Sequence, residues 1–197
     1  LIRKYTNRFH STEQIQKVAA DYPSDYARIM DKVKLSQDEI SAMQKVANNM
    51  YFPYSEEHGV YLQQDGFLDK ELITVANLDK SQRPINQKWS WDRILRSPYI
   101  KQADTLQGFY SFEDHFTKEE LEKHFDFYEP FTVHESSLSP CVHSIQAAVL
   151  GRMEQAYTFY LRTSRLDLDD YNKEVEEGLH ITSMAGTWMS IVEGFGG

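Results

Sequence analysis

The sequence contains 197 residues, a length that suits one domain with a sizeable buried core. Its 30 acidic residues outnumber its 21 basic residues and give a formal net charge of −9, which argues against a general affinity for nucleic acid or anionic membranes. One cysteine, Cys141, excludes an internal disulfide, and the sequence shows neither a charged-then-apolar leader nor an apolar run of membrane length. We therefore expect a soluble, cytoplasmic protein in which any phosphate site is organised locally.

Helix signals dominate the chain. Leu35 is placed as a hydrophobic staple, and Pro130 ends a later apolar helical pattern. Two capping boxes, each a Ser or Thr followed three residues later by Glu, predict helix starts at Ser36 with Glu39 and at Thr117 with Glu120.

Two Ser-Pro pairs, at 97–98 and 139–140, predict further helix starts, because proline suits the first helical turn. Residues 152–161 and 182–192 have apolar side chains at helical spacing, whereas residues 59–62 give a weak strand signal. The predicted fold class is therefore all-α, with pairs of helices and long irregular loops, notably residues 50–91.

The loop over residues 51–92 mixes amide, acidic and aromatic side chains in a way that suits a sugar. Amides and carboxylates bind hydroxyl groups, and an indole ring packs against the apolar face of a pyranose. An alternative is that the two tryptophans only anchor the loop on the core. The side chains concerned are Gln63, Gln64, Asp65, Gln82, Asn86, Gln87, Trp89, Trp91 and Asp92.

An oxyanion site is predicted in front of Pro140. His134, Ser136 and Ser137 supply an imidazole and two hydroxyls, and a helix that begins at Pro140 has free amide N–H groups at its positive end. Ser139 is placed to cap that helix. The alternative is an ordinary serine-rich capping loop without a ligand.

Lys101 and Gln102 fall within or just beyond the first turn of the helix expected from Pro98. Because cations favour helix C-termini, a lysine near a helix start either points into solvent or meets a negative group such as a phosphate. A surface lysine in solvent is the commoner case.

We expect no metal site. The histidines have no convincing ligand spacing, and an aspartate cluster lacks the glycine and glutamate that a calcium loop requires, so the aspartates are expected to cap backbone groups. Thr182 or Ser183 is expected either to cap a helix or to face a site. The metal-type side chains considered are His115, His124, His143, Asp167, Asp169 and Asp170.

Several long motifs together resemble one family, the inverting disaccharide phosphorylases among the glycoside hydrolases, over residues 51–197. This resemblance implies that residues 1–197 form the C-terminal half of an (α/α)6 catalytic barrel domain. The family's N-terminal β-sandwich, first barrel helices and C-terminal β domain would then be absent. The motifs are QRPINQKWSWD at 82–92, KQAD at 101–104, HESSLS at 134–139, LDLDDY at 166–171 and GLHITSMAG at 178–186.

The resemblance implies phosphorolysis of maltose, giving β-glucose 1-phosphate and glucose with inversion. Phosphate would replace the water of an inverting hydrolase, with a histidine where hydrolytic relatives carry the glutamate that activates water. The family's general acid, a glutamate in a Gly-Pro-(Asp/Asn)-Glu-Tyr motif, is not in this sequence and is expected upstream of Leu1. We therefore expect no catalytic residue in this chain and no turnover by it alone.

Neither a cofactor nor a metal is expected, since phosphate is a substrate, and the complete protein is expected to be a homodimer. Alternative functions are phosphorolysis of trehalose, kojibiose or nigerose, hydrolysis on the same barrel, or a helical interaction module without catalysis. The residues expected to bind substrate form two sets. The phosphate set is His134, Ser136, Ser137 and Lys101, and the sugar set is Lys101, Gln102, Glu135, Gln64 and Asp65.

Overall fold

The computed structural model describes residues 20–34 and 36–197. These residues are mostly helical, which confirms the predicted all-α class. The chain divides into two compact units, Leu1–Phe52 and Pro53–Gly197. Among the described residues, the α-helices of eight or more residues are α1 (Pro23–Val33), α2 (Gln37–Asn48), α6 (Lys118–Tyr128), α7 (Pro140–Val149), α8 (Met153–Ser164) and α9 (Ile181–Met189). Shorter α-helices are α3 (Ile85–Lys88), α4 (Trp91–Arg96) and α5 (Thr105–Ser111).

The described part of the first unit contains α1 and α2. The capping box predicted for α2 is confirmed, because Glu39 N donates to Ser36 Oγ over 3.2 Å and Ser36 N donates to Glu39 Oε2 over 2.8 Å. These reciprocal bonds satisfy two amide groups that would otherwise lack partners at the helix start. The staple predicted for Leu35 lies outside the described residues.

The second unit is built around α7, which packs against α8, α9 and a π-helical extension of α9 at Ser190–Phe195. Every residue of α7 from Pro140 to Ala148 is buried. Its buried polar side chains have partners inside the protein, since Ser144 Oγ donates to Ala156 O over 2.9 Å and Gln146 Nε2 donates to Leu106 O over 2.8 Å. The predicted helices at 140, 152–161 and 182–192 are confirmed, with their ends displaced by a few residues.

The predicted strand is confirmed as half of a short hairpin, β1 (Tyr54–Ser55) and β2 (Val60–Tyr61). The hairpin is fixed to α6 by two hydrogen bonds. Tyr61 N donates to His124 Nε2 over 2.8 Å, and Tyr128 Oη donates to Tyr61 O over 2.7 Å. His124 is therefore a buried packing residue, and burial lowers its pKa.

The helix start predicted at Ser97-Pro98 is wrong. Ile100 forms a parallel bridge with Thr132 instead, since Ile100 N donates to Phe131 O over 2.9 Å and Val133 N donates to Ile100 O over 2.8 Å. These bonds to a distant segment hold the backbone extended after Pro98, and the next helix, α5, begins only at Thr105. Lys101 and Gln102 consequently lie in a loop that precedes α5.

Ser139 is also not the side-chain cap that the sequence predicts. α7 begins at Pro140 as expected, but Ser139 makes no side-chain capping bond. Its hydroxyl is instead engaged by His134, with 2.8 Å between Ser139 Oγ and His134 Nδ1.

Within the part of the chain that the structure describes, no helix is long and apolar enough to cross a membrane.

Candidate functional site

The two segments predicted to bind phosphate and sugar lie side by side. The pairing that begins at Ile100 continues one step further, because Glu135 N donates to Lys101 O over 3.1 Å. Ser136 Oγ then donates to Gln102 Oε1 over 2.9 Å. The structure thus brings Lys101 and Gln102 against the loop that contains the predicted phosphate-binding residues.

The second hydroxyl of this loop faces α9. Ser137 Oγ lies 3.0 Å from Thr182 Oγ1, near the start of that helix. Ser136 Oγ also accepts a hydrogen bond from Leu138 N over 3.2 Å, which shapes the turn before α7. The segments that precede α5 and α7 therefore meet the first turn of α9 at these hydroxyls. Of the two residues that the sequence left open, Thr182 reaches this site, whereas Ser183 Oγ donates to Thr163 O over 2.7 Å in the interior.

His134 lies in the interior beside these hydroxyls. The residue is only 6% exposed, and its ring contacts the rings of His143 and Phe159 at centroid distances of 4.5 and 4.9 Å. Arg162 Nη2 donates to its carbonyl oxygen over 2.7 Å, and its backbone φ of 54° is in the left-handed region. Burial first, then the nearby charges, hold the pKa of His134 well below its usual range, so the imidazole is neutral near pH 7.

Glu135 anchors the loop to α3. Its Oε2 accepts a hydrogen bond from Ile85 N over 2.8 Å, and its Oε1 lies 3.5 Å from Arg83 Nε. The Glu135 side chain is 9% exposed. Arg83 Nη2 also donates to Val133 O, which fixes the segment just before His134. Both carboxylate oxygens of Glu135 are thus engaged within the protein.

Gln64 and Asp65 are exposed in the turn that follows β2. The neighbouring Gln63 donates from Nε2 to Asp104 Oδ2, so this turn is tied to the loop that carries Lys101. The roles in sugar binding predicted for Gln64 and Asp65 stay predictions. Lys101 and Gln102 are both exposed, with Lys101 Nζ outside any ion pair of the described residues.

The two tryptophans of the long loop have different environments. Trp89 donates from Nε1 to Gln82 Oε1 over 2.9 Å, and the Arg93 guanidinium lies 3.7 Å from the centre of its ring. These contacts fit an anchor of the loop. Trp91 is 72% exposed at the start of α4.

Asp167 and Asp170 cap backbone groups, as expected, whereas Asp169 forms an ion pair with Arg165 instead. Asp167 accepts hydrogen bonds from His180 N and His180 Nδ1 over 2.8 and 2.6 Å, and this contact lowers the pKa of Asp167. Asp170 Oδ1 accepts from the amides of Glu174 and Val175. Among residues 20–34 and 36–197, no group of three or more His, Cys, Asp or Glu side chains is placed to hold a metal ion.

Arg83 and Arg162 were missed as site residues. Both donate to carbonyls of the segment 133–134, and both line a cavity of about 540 Å³ beside it. Arg83 falls inside a motif of the resemblance, at QRPINQ, but that motif does not indicate its contact. Arg162 lies on α8 in a pattern that resembles any amphipathic helix, so no local signal could have identified it.

Comparison with known proteins gives one consistent family. A family model described as the glycosyl hydrolase family 65 central catalytic domain matches residues 3–189. Maltose phosphorylase of Bacillus subtilis (strain 168) is 57% identical over 159 residues, which are 81% of this chain and 21% of that protein. Alpha,alpha-trehalose phosphorylase of Thermoanaerobacter brockii is 44% identical over 181 residues, which are 92% of this chain and 23% of that protein.

A solved structure, "Putative kojibiose phosphorylase from human microbiome", matches with a TM-score of 0.80 and 38% identity, covering 92% of this chain and 25% of that one. This match confirms the predicted helical-barrel fragment. The chain spans about a fifth of the length of the two phosphorylases above. The motifs, the helical fold and these matches agree, and the chain therefore belongs to glycosyl hydrolase family 65, within its central catalytic domain.

Proposed function

We propose that this chain supplies the phosphate-binding part of the active site of an inverting disaccharide phosphorylase that converts maltose and phosphate to β-glucose 1-phosphate and glucose. The contact of Ser136 Oγ with Gln102 Oε1 carries this proposal, because it joins the two segments predicted to bind phosphate and sugar. The 57% identity to a maltose phosphorylase makes maltose the first substrate to test.

The phosphate contacts are assigned to Ser136, Ser137 and Lys101, with His134 beside them. Hydroxyl groups donate to phosphate oxygens, and the lysine supplies positive charge. His134 is neutral and bonded to Ser139, so it contributes through hydrogen bonding and by fixing the loop. These roles are supported by the distances within the loop and by its contact with Lys101 O.

The sugar contacts are assigned to Gln102 together with Lys101, Glu135, Gln64 and Asp65, the set expected from the sequence. Gln102 has the strongest support, since its side chain is exposed and already contacts the phosphate loop. Phosphate is an anion at neutral pH and needs orientation more than deprotonation to attack the anomeric carbon. The general acid that protonates the leaving glucose oxygen is assigned to a part of the enzyme outside this chain.

A hydrolase on the same barrel is the second candidate. Such an enzyme needs a free carboxylate to activate water on the face opposite the general acid. Glu135 is the only carboxylate in the loop 134–139, and its oxygens are engaged by Ile85 N and Arg83. This engagement favours phosphate over water as the nucleophile.

The complete enzyme is proposed to contain further barrel helices that cover α9 and its extension. Large apolar side chains on this element are exposed, which is unusual for a finished surface. Since the chain spans only about a fifth of its phosphorylase relatives, additional helices of the same barrel are the proposed cover. A homodimer and a cytoplasmic location stay predictions. The exposed residues include Ile181, Met184, Trp188, Ile191 and Val192.

The substrate is tested on the purified complete protein with a panel of maltose, trehalose, kojibiose and nigerose, each with and without phosphate. We expect glucose 1-phosphate only when phosphate is present, and the highest kcat/KM with maltose. Preference for another disaccharide would correct the substrate alone. Glucose release that does not depend on phosphate would favour the hydrolase, and no cleavage of any glucoside would favour a module without catalysis.

The phosphate site is tested with Ser137→Ala and Lys101→Ala in the complete protein. A hydrogen bond to a charged group contributes about 1.5–3 kcal/mol, so the KM for phosphate should rise roughly tenfold or more while the KM for the disaccharide changes much less. Lys118→Ala, an exposed lysine on α6, is the matched control and should leave both values unchanged. Unchanged phosphate kinetics in both site variants would refute the assigned roles.

A further inference from the structure

A cavity of about 540 Å³ lies within the second unit, between the segment 80–88, which ends with α3, and the loop after α8. None of the hydroxyls assigned to substrate phosphate lines it. Its walls carry five cationic side chains and two carboxylates. The cations are Lys80, Arg83, Lys88, Arg162 and Lys173, and the carboxylates are Glu135 and Glu174.

The two carboxylates do not neutralise these cations. Glu135 is engaged by Arg83 and by the amide of Ile85, and Glu174 Oε2 lies 3.6 Å from His180 Nε2. Within residues 20–34 and 36–197, the lysines of the cavity belong to no ion pair. A local excess of positive charge in a chain of formal net charge −9 marks this cavity as an attractive site for an anion.

Arg162 is one of the cavity cations that has no carboxylate partner among the described residues. Its guanidinium donates to His134 O over 2.7 Å and lies 4.4 Å from the centre of the Tyr171 ring, but no carboxylate of the described residues lies within ion-pair distance. Its Nε atom is buried without a hydrogen-bond partner in the described part of the chain. A partly buried cation without a counter-charge is unfavourable, and an anion that pairs with it would stabilise the protein.

Asn86 adds a hydrogen-bond acceptor without a donor to these cations. Asn86 is a lining residue of this cavity, and its Oδ1 atom is buried without a donor among the described residues. A carbonyl oxygen of this kind accepts from a hydroxyl group. The cavity volume lies within the usual range of about 300–1,000 Å³ for small-molecule sites and exceeds what one phosphate ion fills.

We propose that this cavity is a second anion site, which binds the phosphate group of a hydroxyl-bearing phosphate monoester such as a hexose phosphate. Arg83, Arg162 and the lysines meet the phosphate, and Asn86 accepts from a sugar hydroxyl. Free inorganic phosphate shares the anionic part of this chemistry and lacks the sugar hydroxyls. The inference does not depend on the proposed function, since it uses different phosphate-binding side chains.

The site is tested by lysine footprinting of the complete protein. Limited acetylation with acetic anhydride is followed by mass spectrometry, with glucose 6-phosphate, inorganic phosphate or glucose as the added probe and sodium chloride to match ionic strength. We expect glucose 6-phosphate to slow acetylation of Lys80, Lys88 and Lys173 at least threefold, whereas glucose has no effect. Lys32 and Lys118, which are exposed on other helices, serve as controls and should react at unchanged rates.

The outcomes separate the possible sources of the phosphate group. Protection at lower concentrations of glucose 6-phosphate than of inorganic phosphate supports a sugar phosphate, and equal protection supports a phosphate site whose ligand is the free ion. Unchanged rates at all three cavity lysines, or equal slowing at the control lysines, would overturn the site. Lys101 is followed in the same spectra and reports separately on the substrate site.

A variant pair gives an independent measurement. Lys80→Gln/Lys173→Gln removes two exposed cations of the cavity, and Lys32→Gln/Lys118→Gln makes the same change in net charge elsewhere. In calorimetric titration with glucose 6-phosphate, the cavity variant should bind at least tenfold more weakly than the control variant. Equal affinities of the two variants would contradict the proposal.

Discussion

Gly186 allows α9 to pack closely against α7 near the candidate site. A Cβ atom at this position of α9 would lie 2.7 Å from Cys141 Cβ on α7 and 3.3 Å from Thr163 Cγ2 on α8. Carbon atoms pack at about 3.5–4.0 Å, so Gly186→Ala would force α9 away from α7 by roughly 0.8 Å or more. Overpacking of this kind costs about 1–3 kcal/mol and exceeds the gain of up to about 1 kcal/mol from alanine in a helix.

We therefore expect Gly186→Ala to lower the stability of the complete protein by about 1–2 kcal/mol, measured as the shift of the thermal unfolding midpoint. Gly108→Ala is the matched control, because Gly108 is also helical and nothing lies within 4 Å of its added Cβ. That variant should gain about 0.5–1 kcal/mol. Opposite signs for the two variants support the close contact, and a stabilised Gly186→Ala would refute it.

The same substitution should affect the site. Thr182 lies one helical turn before Gly186 on α9, and its hydroxyl is 3.0 Å from Ser137 Oγ. A displacement of α9 by roughly 0.8 Å would lengthen this contact beyond hydrogen-bond distance. The KM for phosphate should consequently rise in Gly186→Ala and stay unchanged in Gly108→Ala.

Two further predictions concern buried groups. Because burial lowers the pKa of His143 from 6.5 to about 4, the unfolded chain binds the proton first as the pH falls, so stability should drop by about 2 kcal/mol between pH 7 and pH 5. His143→Asn should show a flatter dependence of the urea midpoint on pH, and an unchanged slope would contradict this origin. Glu135→Ala should cost about 1–3 kcal/mol by removing the acceptor of Ile85 N, whereas the exposed Glu176→Ala should cost almost nothing in the same urea titrations.

The parts of the fold that the sequence predicts correctly depend on nearby residues. The capping boxes at Ser36 and Thr117 are closed by hydrogen bonds to residues three positions away, so their signature is local. The Ser97-Pro98 pair has an equally clear local signature but ends in an extended segment. The reason is the pairing of Ile100 with Phe131 and Val133, about thirty residues later, which a local pattern does not contain.

In the candidate site, too, some contacts could be predicted from the sequence and others could not. The resemblance selected Lys101, Gln102 and the loop 134–137 together, and these segments are in contact although Gln102 and Ser136 are 34 positions apart. The resemblance gave no indication of Arg162, a half-buried residue of α8 whose bond to His134 O spans 28 positions. A family resemblance therefore indicates a distant contact only where both contacting residues lie within motifs of that family.

Burial determines the chemistry that His134 can contribute. Enclosure by His143 and Phe159, with Arg162 at its carbonyl, keeps the pKa of this imidazole low and the ring neutral. A neutral ring bonded to Ser139 fixes the backbone from which Ser136 and Ser137 project. Of the residues assigned to phosphate, positive charge is thus left to Lys101, which is why its removal should affect phosphate binding as strongly as removal of a serine hydroxyl.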